Sequence, residues 1–280
     1  MIVVGAGRSG TTMIREALRR HPLVAAIPFE LNHLWRHGNR GVPHDFLTPE
    51  AHLTPRACAF IRGRLADIRA KQGTERLLDK TVANVARLRY VHAVLPDSKI
   101  VHVIRDGRAV AASAMVRWVA PQSTTRYGSG ARFVPPGDLP VYAWRYMKGL
   151  IRSRLRGQRR RHTWGVRFPG MDIMVEQEPL ARVCAAQWRW CVEAALEQKS
   201  QLSSGSYFEV RYESIMNSPV ETFEEMQRFL DLPPAPEIER WARSTIEPQR
   251  QDRWRTRMDP ADLEHIVKEA GPLLQRLKYL

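Results

Sequence analysis

Cysteine is scarce: three residues, Cys58, Cys184 and Cys191, in a chain of 280. That number and scatter exclude a disulfide framework or a cysteine-built zinc site, and fit a reducing compartment. Long apolar runs are missing too, since no stretch approaches the roughly 18 residues of a membrane-spanning helix. Nor does a charged-then-apolar leader precede the opening Met1-Ile-Val-Val-Gly5. The expectation is therefore a soluble, cytoplasmic protein. Repeats and low-complexity tracts are also lacking, while a hydrophobic fraction of 44% suffices to bury a core.

Acid is what one segment lacks altogether. Lys and Arg total 44 against 29 Asp and Glu, a formal net charge of +15, and nine of the basic residues lie between Arg145 and Arg167 with no acid among them. Such a balance implies an anionic partner: a phosphorylated cofactor, an acidic glycan, an anionic lipid surface or nucleic acid. No recognised nucleic-acid-binding motif accompanies it, so nucleic acid is not expected, although a basic nucleic-acid-binding protein is the non-enzymatic rival.

What is present is an alternation of strands and helices. Ile2-Val3-Val4 reads as a buried strand ending in a glycine loop from Gly5 to Gly10, and a helix begins at Thr11 and stops before Pro22. Further on, Ala83 to Leu95 reads as a helix, Lys99 to Ile104 as a strand, Arg105-Asp106-Gly107 as a turn and Ala109 to Trp118 as a helix. Tyr207 to Arg211 reads as a third strand, with a helix from about Val220 to Leu230. This order predicts an α/β fold of three layers around a mostly parallel sheet. Pro121 to Pro140 reads as an exposed loop, and Leu180 to Glu197 as a helix. Residues 1–280 are thus expected to form one domain, with a basic helical and loop insertion at about 119–179 serving as a lid over an acceptor.

The loop Gly5-Ala-Gly-Arg-Ser-Gly-Thr-Thr12 stands where a strand hands over to a helix, so its N–H groups converge on an anion. Its spacing matches a P-loop, yet the Lys expected after Gly10 is replaced by Thr11, and the nearby cation is Arg8 inside the loop. That absence counts against a nucleotide kinase or NTPase, the rival of another enzyme class. Gly5-x-Gly7-x-x-Gly10 also satisfies a dinucleotide fingerprint, whose acidic residue would be Glu30, although no convincing second strand precedes it. In the second signature, Arg105-Asp106-Gly107-Arg108, helical spacing sets Ser113 and Arg117 on one face. Two guanidinium groups and a hydroxyl suit a second phosphate, and a salt-bridged surface turn is the plainer alternative.

Together these motifs resemble sulfotransferases that use 3′-phosphoadenylyl sulfate (PAPS), in particular the tyrosylprotein sulfotransferases and their bacterial relatives. Arg8-Ser9-Gly10-Thr11-Thr12 matches the family's 5′-phosphosulfate loop, and Arg105 with Ser113 matches its 3′-phosphate site. The resemblance also implies nucleotide contacts from Arg117, from Tyr212 in Val210-Arg-Tyr-Glu, and from Arg253 beside Trp254. It further implies a catalytic base at Glu30, in Ile-Pro-Phe-Glu-Leu, and a catalytic Lys80, in Leu-Asp-Lys-Thr. The similarity runs in order from Val3 to about Leu232.

The implied reaction is sulfuryl transfer to an acceptor hydroxyl. Glu30 takes the proton, while Arg8 and Lys80 stabilise charge on the leaving phosphate, so that no metal is called for. His33, His44 and His102 are alternative bases, with His102 expected to be a packed strand residue. A carbohydrate or glycolipid hydroxyl is the expected acceptor, and tyrosine or a phenol the alternative. The basic run from Arg145 to Arg167 fits an anionic acceptor or peripheral contact with the inner membrane, and Trp144 and Trp164 flank it as candidate sugar-stacking residues.

Overall fold

The computed structural model describes residues 1–120 and 164–280. Among them, β1 (Ile2–Val4), β2 (Val24–Ala26), β3 (Arg76–Leu78), β4 (Ile100–Ile104) and β5 (Tyr207–Arg211) pair in parallel throughout. β4 lies between β1 and β5, and β2 pairs with β3. A bridge from Ile2 to Asp79, just past β3, joins the pair to β1. The strands therefore run β2-β3-β1-β4-β5, and the chain crosses from one side of β1 to the other between β3 and β4.

The two-residue period of a strand explains the three layers. Ile2 and Val4 of β1, with Ile100 and Ile104 of β4, enter one core; Val3, Val101 and Val103 enter the other. The helices are α1 (Thr11–Leu18), α2 (Asn32–Trp35), α3 (Pro49–His52), α4 (Pro55–Gln72), α5 (Leu88–Val94), α6 (Gly107–Val119), α7 (Met171–Gln177), α8 (Leu180–Gln198), α9 (Tyr212–Asn217), α10 (Pro219–Phe229), α11 (Pro236–Thr245) and α12 (Pro260–Arg276). Buried residues of α4, α5, α6, α8 and α12 fill the first core, and those of α1, α9, α10 and α11 the second. The sheet is thus covered on both faces, as the fully buried central strands β1 and β4 require. No described helix is long and apolar enough to cross a membrane.

Two regions depart from expectation. The helix foreseen over Ala83 to Leu95 is a 3-10 turn, Val82–Arg87, followed by α5. Its break has a cause: Arg87, fully buried, donates from Nε to Asn84 Oδ1 at 2.9 Å and from Nη2 to Asn32 Oδ1 at 2.5 Å. Accommodating that buried cation, whose Nη1 has no partner among the described residues, takes precedence over a regular helix. β2 and β3 were not foreseen at all, so the judgement that no strand precedes Glu30 is corrected: β2 ends four residues before it. Each of these strands has three residues, too short to show a period. The insertion at 119–179 lies largely outside the described residues, as does Trp144. Its C-terminal end is core, for Val166, Phe168, Met171 and Val175 are all buried in the first cluster.

Candidate active site

The glycine loop leaves the C-terminal end of β1, and Arg105 that of β4, on either side of the crevice where the strand order reverses. In open α/β sheets this crevice is where ligands bind. Glycine is required at two loop positions. A Cβ at Gly5 would stand 2.6 Å from the Val103 carbonyl oxygen, and Gly10 has φ +105° with the Tyr212 ring 2.7 Å from where its Cβ would be. Arg8 adopts the left-handed region as well, at φ 76°. Its Nε donates to Ser113 Oγ at 2.9 Å, which joins the loop to α6 across 105 positions of sequence. Arg105 Nη1 donates to the Arg8 carbonyl at 3.2 Å, and its guanidinium stacks 4.0 Å above the Tyr212 ring.

Two buried polar atoms here lack partners among the described residues: Ser9 Oγ and Arg105 Nε. Buried polar groups are ordinarily satisfied, so a donor pair left open beside a glycine loop fits an anionic ligand. Thr11 is buried and Thr12 exposed at the start of α1. Arg117 is half-buried on α6, one turn beyond Ser113. Arg253 stands apart: it is exposed, and its guanidinium lies 3.7 Å from Glu247. Its neighbour Trp254 is buried beneath Arg108, 5.1 Å from the ring centroid.

The letters of Arg105-Asp-Gly-Arg108 each have a structural reason. Asp106 caps α6 by accepting the Arg108 N–H at 2.9 Å, and it also pairs with the Arg108 guanidinium at 2.8 Å. Gly107 lies against the indole of Trp188, which would be 2.6 Å from an added Cβ. Trp188 in turn donates from Nε1 to the Arg105 carbonyl at 3.0 Å, and Glu213 Oε1 accepts the Asp106 N–H at 3.0 Å. Trp188 and Glu213 thus hold the turn that aims Arg105, and neither was singled out from sequence. Glu213 does sit beside Tyr212 in the Val-x-Tyr-Glu segment, which was the available signal.

The second half of the site lies at the ends of β2 and β3. Glu30 follows β2 and Lys80 follows β3, and Lys80 Nζ stands 2.7 Å from Glu30 Oε1. The Lys80 side chain is 8% exposed and that of Glu30 40%, so the carboxylate is open to an incoming molecule. The Val82 N–H faces Glu30 Oε2 at 3.4 Å. Below the pair, the Leu31 N–H donates to Thr81 Oγ1 at 2.9 Å, and Thr81 donates to Asp79 Oδ1 at 2.7 Å. Asp79 Oδ2 accepts from Trp35 Nε1 at 2.7 Å and from Asn84 Nδ2 at 3.2 Å. Burial pushes the Asp79 carboxyl above the usual range, with the hydrogen bonds from Thr81 and Trp35 opposing it.

Of the alternative bases, His102 is fully buried in β4, bonded through Nδ1 to Tyr207 OH at 2.6 Å, and burial lowers its pKa to about 4. It is a packed strand residue, as expected. His44 is half-buried beside Phe46, its pKa lowered chiefly by burial and then by Arg36. His33 is half-buried on α2. Trp164 packs edge-on to Trp118 at 6.3 Å, and its ring reaches the glycine loop beside Gly7. No group of three or more metal-ligating side chains occurs among the described residues.

Known proteins are similar to this chain in sequence and in fold. Residues 1–145 match the model of the Sulfotransferase family. The nodulation protein NoeE of Sinorhizobium fredii is 27% identical over 267 residues, covering 82% of this chain. The chain spans 62% of that relative's length. Among solved structures, the sulfotransferase domain from the curacin biosynthetic pathway superposes with a TM-score of 0.54 at 16% identity, covering 96% of each chain. A sulfotransferase from Alicyclobacillus acidocaldarius does so with a TM-score of 0.53 at 16% identity, covering 99% of this chain and 93% of that one. At such identities the structures speak to the fold: the three-layer α/β architecture is that of sulfotransferases.

Proposed function

The chain belongs to the sulfotransferase family, and from that premise we propose that it transfers the sulfuryl group of PAPS to an acceptor hydroxyl, with Glu30 as the base. The observation that carries this reading is the meeting of Arg8 and Ser113 at 2.9 Å. It makes one continuous cradle from the glycine loop and from the Arg105 helix, two anion sites that a nucleotide phosphorylated at both ends requires. The open donors Ser9 Oγ and Arg105 Nε support the same fit.

The residues divide the work. The loop N–H groups with Ser9, Thr11 and Thr12 hold the 5′-phosphosulfate, and Gly10 allows the close approach. Arg105, Ser113 and Arg117 hold the 3′-phosphate, with Tyr212 supporting the Arg105 guanidinium from below. Arg253 is assigned to the nucleotide by resemblance alone, since its ion pair in the structure is with Glu247. Glu30 takes the acceptor proton as the acceptor oxygen bonds to sulfur and the bond from sulfur to the phosphate oxygen breaks. Its electron pair stays on the phosphate. Lys80, within 2.7 Å of the base, and Arg8 stabilise the charge that develops there, a role in which arginine and lysine suffice without a metal. A positioned base typically contributes about 10²–10⁴ in rate.

For the acceptor we propose a carbohydrate or glycolipid hydroxyl, met in the cytoplasm or at the inner membrane surface. The basic run supports an anionic acceptor or surface. Its last member, Arg167, belongs to the fold itself: its N–H binds Asp45 Oδ2 at 2.9 Å and its guanidinium pairs with Asp172 at 2.8 Å. Labelled PAPS offered with an oligosaccharide, an alkyl glycoside, a phenol and an acidic tyrosyl peptide tests the proposal. Label on the sugar compounds is expected. Label on the phenol or peptide alone overturns the acceptor class, and failure to bind 3′-phosphoadenosine 5′-phosphate overturns the reaction.

A further inference from the structure

We propose that Thr81, braced by Asp79, is a positioning residue that locks the Glu30 loop to the Lys80 loop and thereby sets the geometry between base and leaving-group cation. The proposal rests on the assignment of Glu30 and Lys80 made above. Those two side chains come from loops 50 residues apart, and Glu30 is 40% exposed. An ion pair that reaches solvent does not by itself hold two loops in register. What lies directly beneath it is buried and fully directional.

The connection can be traced atom by atom. Leu31, next to Glu30, donates its N–H to Thr81 Oγ1 at 2.9 Å; Thr81, next to Lys80, donates its own O–H to Asp79 Oδ1 at 2.7 Å. One hydroxyl thus serves as acceptor from one loop and donor to the other. Leu31 is 1% exposed, Asp79 2% and Thr81 0%, so water offers no substitute partner. Asp79 is itself immobilised. Its second oxygen accepts from Trp35 and Asn84, and its backbone is bonded to β1, with the Val3 N–H donating to its carbonyl at 2.9 Å. The brace therefore transmits the position of the central sheet to both Glu30 and Lys80. Because Thr81 touches neither the proton being moved nor the leaving group, its effect is on turnover through geometry. Misplacement by about an ångström is enough to cost on the order of 10²-fold in rate.

Thr81→Val keeps the shape and removes the hydroxyl, and Thr81→Ser keeps the hydroxyl. Both are compared with wild type and Glu30→Gln using PAPS and whichever of the four acceptors above is sulfated fastest, well below the melting temperature of each. Binding stoichiometry of 3′-phosphoadenosine 5′-phosphate, measured by calorimetry, normalises kcat to folded protein. The expected result is a fall in kcat of roughly 10- to 100-fold for Thr81→Val, with KM for PAPS within about twofold of wild type and near-complete recovery in Thr81→Ser. Normal kcat in Thr81→Val, or a loss that Thr81→Ser shares, overturns the brace while an inactive Glu30→Gln leaves the base assignment standing. Normal turnover in Glu30→Gln overturns the base assignment and the brace with it.

Discussion

At the ends of β1 and β4 the candidate site is built from consecutive residues: six residues from Gly5 to Gly10, then Arg105 to Arg108. Arg8 and Arg105 meet there, Arg105 Nη1 on the Arg8 carbonyl, and the contacts that support them, such as Arg105 over Tyr212 and Trp188 on the Arg105 carbonyl, lie behind the proposed anion cradle. At the ends of β2 and β3 the proposed reacting pair is built from single residues on separate loops, Glu30 and Lys80, held by a buried net of Leu31, Trp35, Asp79, Thr81 and Asn84. On the proposed assignment, the first region would bind through many weak, redundant donors, so that the loss of one is graded. The second would do chemistry through two groups, so that the loss of either is severe. Binding and turnover should therefore separate along the sheet.

Glu30→Gln probes the steepest part of that contrast. Glutamine keeps the shape and removes the capacity to take a proton, so kcat is expected to fall by about 10²–10⁴-fold. Calorimetry should find the affinity for 3′-phosphoadenosine 5′-phosphate within a few-fold of wild type. Turnover close to normal would collapse the contrast from its chemical side. Arg105→Ala probes the other end. It removes a charged donor that stacks 4.0 Å above Tyr212, and loss of a charge-assisted contact of about 1.5–3 kcal/mol corresponds to roughly 10- to 100-fold in affinity. That loss should appear for 3′-phosphoadenosine 5′-phosphate and be absent for adenosine 5′-phosphosulfate, which has no 3′-phosphate. Equal losses for both ligands would remove Arg105 from the 3′-phosphate site.

The same contrast explains what was legible in the sequence. The anion cradle could be read because a backbone-built site needs glycines at fixed spacing and a helix start beside them, and these are contiguous letters. The strand β4 and helix α6 around Arg105 were readable for a similar reason: Lys99 to Ile104 is a mostly apolar, β-branched run, and the turn at Arg105-Asp106-Gly107 separates it from the helical pattern that follows. As catalytic residues Glu30 and Lys80 were reached by resemblance alone: the spacing from the glycine loop pointed to Glu30 only as the acid of a dinucleotide fingerprint, and a lysine after an aspartate carries no period or spacing of its own. Their supporting strands β2 and β3 have three residues each and take their conformation from pairing, not from local preference. Thr81 and Asp79 were invisible as functional residues, since nothing local says that a hydroxyl will meet a backbone N–H 50 positions away. The broken helix at Arg87 was missed on the same ground: the apolar pattern of Ala83 to Leu95 is helical, and only the fold shows that a cation must be accommodated inside it.

Trp188→Phe tests how far the cradle depends on what lies behind it, and its effect should be the smallest. The indole fills the space against Gly107 and donates its one N–H to the Arg105 carbonyl at 3.0 Å. Phenylalanine retains most of the apolar contact but leaves that carbonyl, in a buried turn, without its donor; such a loss costs about 1–3 kcal/mol of stability. The melting temperature should therefore drop by several degrees. Ligand binding should change much less, because Arg105 is still held by Tyr212 and by the Asp106–Glu213 contact. A rise of roughly two- to fivefold in the Kd for 3′-phosphoadenosine 5′-phosphate, under about 1 kcal/mol, is the expected outcome, with kcat unchanged. If instead Trp188→Phe weakened binding as much as Arg105→Ala does, the cradle would depend on a single buried support, as the Glu30 and Lys80 pair is argued to depend on Thr81. The two ends of the sheet would then differ in chemistry but not in how they are held.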